Sequence, residues 1–222
     1  MLCIPIIAQD TEGAIKKISK AEEQANICEI RLDLMDSFHL DQIMGAAKKP
    51  VIVTYRSENE GGQGNADPSD VTDYLLSAAR ENADYIDVEL SMAAELRNKI
   101  IQDKGNSQII ISTHIMDDTP LNDELNNFLE NSIRASGDII KIIAMANSHD
   151  DNLRMLDLVS RTHKRGIKVI AFCMGPMGRM SRIFTLLMGG YLTFTSLESG
   201  EESAPGQIPV NEMKRLLEYF TV

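Results

Sequence analysis

One pattern repeats along this chain and restricts how it can fold. A short apolar run rich in β-branched residues is followed by a polar stretch with helical spacing, then by another such run. The runs occupy residues 2–8, 27–34, 50–56, 85–90, 108–114, 139–146, 168–174 and 191–197. The stretches between them repeat apolar residues at helical intervals, as Val71, Leu75, Leu76 and Ala79 do after the third run, and Leu153, Leu156, Leu158 and Val159 after the sixth. A final helix is predicted over 210–219. Strands that alternate with helices form parallel sheets, because each crossover lays a helix on the sheet. Eight such units in 222 residues suit an α/β fold of one kind, the closed parallel eight-stranded (β/α)8 or TIM barrel, near the compact end of its size range. An open doubly wound sheet usually has fewer strands, and one that binds a dinucleotide carries a glycine-rich turn after its first strand. The turn here reads AQDTEG. The interval between runs is even, so one domain over 1–222 is expected.

Composition narrows the partners. The 22 basic and 33 acidic residues leave a net charge of −11, with no lysine- or arginine-rich block. Nucleic acids and anionic membranes are recognised through basic surface, so neither is an expected partner. No stretch approaches the roughly 20 apolar residues of a membrane span. The first residues lack the basic region of a signal peptide. Three widely spaced cysteines, Cys3, Cys28 and Cys173, sit in apolar runs. That usage suggests small buried hydrophobes in a reducing, cytoplasmic setting. No cysteine or histidine pair has zinc-ligand spacing, so no metal is expected.

Charged residues occur where a barrel interior is usually apolar. Side chains alternate across a strand. In the second run, CEIRLDL, Glu29, Arg31 and Asp33 share one face, and Ile30, Leu32 and Leu34 share the other. With the apolar set against the helices, the charged set points inward. Burying those charges is costly unless they pair with one another or serve a ligand. The fourth run, YIDVEL, repeats the theme with Asp87 and Glu89. The sixth, DIIKIIAMA, places Lys141 between Ile139 and Ile143 on one face, where it cannot easily reach water. A lysine amine in such a site is either a nucleophile for ketones or one half of a structural ion pair. These residues leave both open.

The segments after the strands add polar groups, and on a barrel they lie at the active face. The fifth run ends at His114. The third run ends at Arg56, and the 57–68 segment that follows offers Glu60 beside a glycine pair that permits a tight turn. Arg182 falls in the first turns of the seventh helix, where a helix start and a guanidinium both favour an anion. Ser203 and Gln207 lie in the 198–209 segment, as loop donors or as a cap for the last helix. Met174 ends the seventh run. His39, His149 and His163 fall in or beside helical stretches and are read as surface residues.

In order along the chain, the sequence carries EIRLD (29–33), TYRSENEGG (54–62), ISTH (111–114), IIKIIAMA (139–146), MGRMSR (177–182) and SAPGQI (203–208). Together these resemble the type I 3-dehydroquinate dehydratase family over nearly the whole chain. The resemblance implies a lyase that removes water from 3-dehydroquinate, without cofactor or metal, in the shikimate pathway of aromatic amino acid biosynthesis. It implies Lys141 as the residue forming an imine with the substrate ketone and His114 as general base, then acid, in a syn elimination. Glu60 would orient His114, Arg182 would bind the substrate carboxylate, and Met174 would pack on the ring. Glu29, Arg31, Arg56, Ser203 and Gln207 would hold ring hydroxyls and loop geometry. A homodimer is implied, as is the possibility of fusion to shikimate dehydrogenase. Two departures stand out. Many family members cover the barrel bottom with an extra strand pair ahead of the first run, which here starts at residue 2. Phe172 stands where some members carry a second methionine, which should alter packing and not the reaction. Two other readings suit the bare residues. A Schiff-base aldolase-like barrel would want a glycine-rich phosphate loop, and SAPGQIP is a poor one. The other is a non-catalytic metabolite-binding barrel.

Overall fold

The computed structural model describes residues 1–220. Eight strands, β1 (Leu2–Ile6), β2 (Ile27–Arg31), β3 (Val51–Thr54), β4 (Tyr85–Glu89), β5 (Gln108–Ile115), β6 (Ile139–Met145), β7 (Val169–Met174) and β8 (Thr193–Phe194), alternate with eight helices. These are α1 (Thr11–Glu22), α2 (Leu40–Ala46), α3 (Pro68–Arg80), α4 (Ala94–Gln102), α5 (Asn122–Arg134), α6 (His149–Lys164), α7 (Arg179–Leu187) and α8 (Val210–Glu218). All recorded strand pairings are parallel and run in chain order from β1 to β7, with β8 against β1. Between β7 and β8 the barrel is nearly closed, and the backbone N–H of Tyr191 reaches the Val169 carbonyl at 2.7 Å. The predicted (β/α)8 architecture is therefore the observed one.

Strand alternation sorts the core into two layers. Cys28, Ile30, Val51, Val53, Ile86 and Val88 pack outward against helix residues such as Ile18, Leu75 and Leu76. Cys3, Ile27, Ile52, Ile110, Ile139, Ile143 and Ile170 fill the barrel interior. Both layers are dry and β-branched, as a parallel sheet buried on both faces requires. At the N-terminal mouth the phenols of Tyr85 and Tyr191 meet at 2.8 Å, and Lys168 lies over the Tyr191 ring.

Three expectations need correction. The second run does not continue as strand to residue 34. It ends at Arg31, and Leu32–Leu34 is a 3-10 turn that brings the Asp33 carboxylate back onto the Arg31 guanidinium. The eighth strand is two residues long: it pairs with β1 at Leu2 and Cys3, and from Ser196 the backbone bonds the Ile208 carbonyl instead. On α6 the buried stripe is Met155, Leu158, Val159 and Thr162, whereas Leu153 is 58% exposed. A capping box, Ser148 with Asp151, satisfies the first turn of α6, and packing of Met155, Leu158 and Val159 against β7 leaves Leu153 outward.

Candidate active site

At the C-terminal ends of the strands lies a cavity lined by all ten residues singled out from the sequence: Glu29, Arg31, Arg56, Glu60, His114, Lys141, Met174, Arg182, Ser203 and Gln207. They come from β2, β6 and β7, the end of β5, the segments after β3 and β8, and α7. No two neighbouring elements supply the set, so closure of the barrel assembles it.

Lys141 is 3% exposed. Its Nζ donates to Asp87 Oδ2 at 2.8 Å, stands 3.6 Å from Glu29 Oε1, and lies over the Phe194 ring at 4.7 Å. Thus the amine borders the cavity and is ion-paired within the barrel. Glu29 also accepts from the Thr54 hydroxyl. Burial pushes the Asp87 carboxyl up, but Arg56, Lys141 and the Ser112 hydroxyl outweigh it and hold the group below the ordinary carboxylate range.

His114 sits beside this pair with its ring largely enclosed, 11% exposed. Its Nδ1 and its backbone N–H both lie 3.0 Å from Glu60 Oε2. Burial, reinforced by Arg56, Lys141 and Arg31, holds the imidazole well below its usual pKa, so the neutral ring predominates. With Nδ1–H donating to Glu60, Nε2 is left with its lone pair available. Burial pushes the Glu60 carboxyl up to about 7 against the pull of Arg56. Burial thus acts on both groups in the same sense, favouring the neutral imidazole and the protonated carboxyl.

Arg56 is the hub. Its Nη2 donates to Asp87 at 2.6 Å, and its Nη1 approaches Glu89 at 2.9 Å, Ser112 Oγ at 3.0 Å and Glu60 at 3.4 Å. The segment that carries Arg56 and Glu60 turns sharply. Gly61 has φ +80°, and a Cβ on Gly62 would stand 2.1 Å from the Arg56 carbonyl oxygen. The glycine pair is thus a steric requirement. Arg31 is held by a two-pronged bond from Nε and Nη2 to Asp33, at 2.8 and 2.7 Å.

Arg182 is 1% exposed and stacks on Phe172, 4.6 Å from guanidinium carbon to ring centre. Its Nη2 donates to the Pro205 carbonyl, while its Nε has no hydrogen-bond partner among the described residues. Burial lowers its pKa to about 9. A buried cation with an unused donor at the edge of a cavity is a receptor for an anion. Phe172 therefore bears on packing, as the substitution for methionine suggested, and what it packs is Arg182. The segment after β8 is cross-braced: Ser203 N–H donates to Gln207 Oε1 and Gln207 Nε2 to Ser203 Oγ, both at 2.9 Å. Neither residue caps α8, whose N-cap is Pro209.

Several site residues escaped the sequence reading. Asp87 and Glu89 show the inward parity of β4 but were not placed in the site. Ser112 shares the face of His114 on β5 and could have been found the same way. Ser91, which donates to Glu60 Oε1 at 2.7 Å, lies in a turn with no periodic signal. His39, His149 and His163 are exposed, as expected. Among the described residues no group of three or more His, Cys, Asp or Glu side chains is arranged to hold a metal, and no helix is long and apolar enough to cross a membrane.

Comparison with known proteins agrees with this geometry. A 3-dehydroquinate dehydratase of Methanococcus maripaludis strain C5 is 37% identical over 98% of this chain and 99% of its own length. The chloroplastic bifunctional 3-dehydroquinate dehydratase/shikimate dehydrogenase of Arabidopsis thaliana is 35% identical over 99% of this chain, which spans 37% of that longer protein. Among solved structures, the type I 3-dehydroquinate dehydratase of Clostridium difficile, determined with covalently modified comenic acid, superposes with a TM-score of 0.90 at 26% identity, covering 99% of this chain and 91% of that one. The family model described as type I 3-dehydroquinase matches residues 2–222, and the chain belongs to that family of hydro-lyases.

Proposed function

We infer that the cavity eliminates water from 3-dehydroquinate in a syn sense, through an imine on Lys141, to give 3-dehydroshikimate. The observation that carries this reading is the shared cavity of a buried lysine amine, a neutral histidine and an arginine with an unused donor. Lys141 Nζ adds to the C3 ketone, and the carbinolamine loses water to leave a protonated imine. That cation draws electrons from the neighbouring carbon and acidifies its hydrogen. His114 Nε2 takes a C2 proton, giving an enamine. Glu60 accepts the Nδ1–H and stabilises the imidazolium. The same proton then goes to the C1 hydroxyl, which departs as water. Hydrolysis of the imine frees the product and restores the amine. Arg182 pairs with the substrate carboxylate. Glu29, Arg31, Arg56, Ser203 and Gln207 hold the ring hydroxyls, and Met174 packs on the ring.

The covalent comenic acid on the C. difficile relative suits a site of this kind. The step belongs to the shikimate pathway of aromatic amino acid synthesis. Three free, buried cysteines support a cytoplasmic setting, and family likeness supports a homodimer, which sedimentation equilibrium tests. The function itself is tested by mixing folded protein with 3-dehydroquinate and borohydride, measuring intact mass and mapping peptides. A ligand-sized adduct on Lys141 is expected. Folded protein that turns over substrate without any adduct overturns the imine.

A further inference from the structure

Arg56 Nη1 carries two protons, and three acceptors stand around it. Glu89 Oε1 is at 2.9 Å, Ser112 Oγ at 3.0 Å and Glu60 Oε2 at 3.4 Å. The Ser112 hydroxyl donates its own proton to Asp87 at 2.6 Å, so its lone pair is free to receive from Arg56. Two protons satisfy two acceptors. The shorter contacts go to Glu89 and Ser112, and Glu60 is the one left over. Glu89 is itself pinned, because its Oε1 also accepts from the Ser57 N–H at 2.9 Å, at the start of the segment that carries Glu60.

We propose that Glu89 is a positioning residue for the His114–Glu60 pair: by occupying Arg56 Nη1, it withholds a full salt bridge from Glu60 and keeps that carboxylate available to His114. The consequence is chemical. A carboxylate saturated by arginine is a poor acceptor for Nδ1–H, and the histidine behind it is a weaker base. A carboxylate without that bond draws on Nδ1–H more strongly and raises the basicity of Nε2. The groups facing Glu60 come from several elements: Arg56 on its own segment, Asp87 and Glu89 on β4, Ser91 in the following turn, His114 on β5, with Lys141 on β6 and Arg31 on β2 behind the histidine. Of these, Glu89 acts on Glu60 in two ways with the same sign. It repels the Glu60 charge and it occupies Arg56.

This inference rests on the assignment of His114 and Glu60 as the acid–base pair. The test is the pH dependence of kcat/KM and of borohydride capture in Glu89→Gln. The glutamine oxygen of this variant can still accept from Arg56 but carries no charge, so Arg56 turns from it toward Glu60 and a like charge is lost; the acid limb of kcat/KM moves down by about one pH unit. The plateau kcat falls about tenfold as the base weakens, and the rate of adduct formation on Lys141 stays within about threefold of wild type. Ser91→Ala strips a donor from the other Glu60 oxygen and moves the same limb upward. A folded Glu89→Gln protein whose limb stays in place or moves up overturns the proposal, as does an equal loss of capture and turnover. If that variant does not fold, Glu89→Asp keeps the buried charge while shortening its reach to Arg56, and must shift the limb down for the proposal to stand. If His114→Ala retains wild-type turnover, the acid–base assignment fails and Glu89 has nothing to tune. If His114→Ala is impaired and the Glu89 variants leave the limb unmoved, only the role of Glu89 falls.

Discussion

In the proposed mechanism Lys141 and His114 divide the chemistry in a way that substitution can separate. Lys141→Ala removes the only proposed point of covalent attachment, and both the borohydride adduct and turnover should vanish. His114→Ala leaves the amine, so the adduct should still form while elimination slows by about 10²–10⁴-fold. Mass analysis beside a steady-state assay checks both; full activity in either variant sinks the mechanism. Glu60 shows what the site costs the fold. Its carboxyl stands near 7 where the ordinary value is 4.5, so the folded state holds this proton more tightly than the unfolded chain. A raised pKa contributes stability that is complete below about pH 4.5 and is lost as pH rises through about 7. At pH 8 the buried charge therefore destabilises the free protein. Glu60→Gln should be about 2 kcal/mol more stable than wild type at pH 8 and indistinguishable from it near pH 4. Urea melts at the two pH values decide this, and equal stability at both would show that neighbours already neutralise the charge.

At the scale of elements, the segments after β3 and β8 do the holding and the strands do the aiming. The β8–α8 segment rests on Gly175: the Gly175 N–H donates to the Pro205 carbonyl at 3.0 Å, and the same carbonyl receives Arg182 Nη2 at 3.1 Å. This contact needs Gly206, whose φ is +81° and whose Cβ would lie 2.2 Å from the Gly175 oxygen. Lys17 on α1 ties the near end of the segment through Glu201 at 2.8 Å. Gly206→Ala should therefore lift the segment, displace Ser203 and Gln207 and release Arg182. A misplacement of about 1 Å at a site costs on the order of 100-fold in rate, so kcat/KM should fall by about that much. The thermal midpoint should fall as well, because an alanine at φ +81° with its Cβ against the Gly175 carbonyl is strained. Unaltered kcat/KM would mean that the segment contributes little to binding.

Across the whole molecule, the barrel is unevenly closed. β5 and β6 pair along six residue positions, from Ile110↔Ile139 to Ile115↔Ala144, whereas β8 pairs with β1 at two. Local opening follows local hydrogen bonding and burial, so the seam at β8 should open first. Native-state hydrogen exchange should find the amides of Thr193 and Thr195 less protected than those of Ile140 and Ile142. The reverse order would show that Tyr191 and its bond to Val169 close the barrel more firmly than strand length suggests. An early-opening seam beside the β8–α8 segment would let the cavity admit ligand while β4, β5 and β6 keep Asp87, His114 and Lys141 in register.

What was legible in the chain was what depends on period. Alternation every two residues set Glu29, Arg31, Asp87, Glu89 and Lys141 inward, and eight repeats closed them into a barrel, since parallel strands joined by helices must bury both faces. Ordered motifs then named the family. Partnerships were not legible in the periodic pattern; the resemblance implied one, Glu60 beside His114. That Lys141 pairs with Asp87, that Asp33 curls back on Arg31 through a turn, and that Arg56 has two protons for three acceptors depend on distances between residues 33 to 56 positions apart or on local backbone turns, which carry no periodic signal. The proton affinities of His114 and Glu60 were likewise set by tertiary structure, because burial and the charges across the cavity exist only once the strands are brought together. The sequence alone determined the fold and which side chains face the cavity; packing decided which of them touch, and therefore how the site holds its protons.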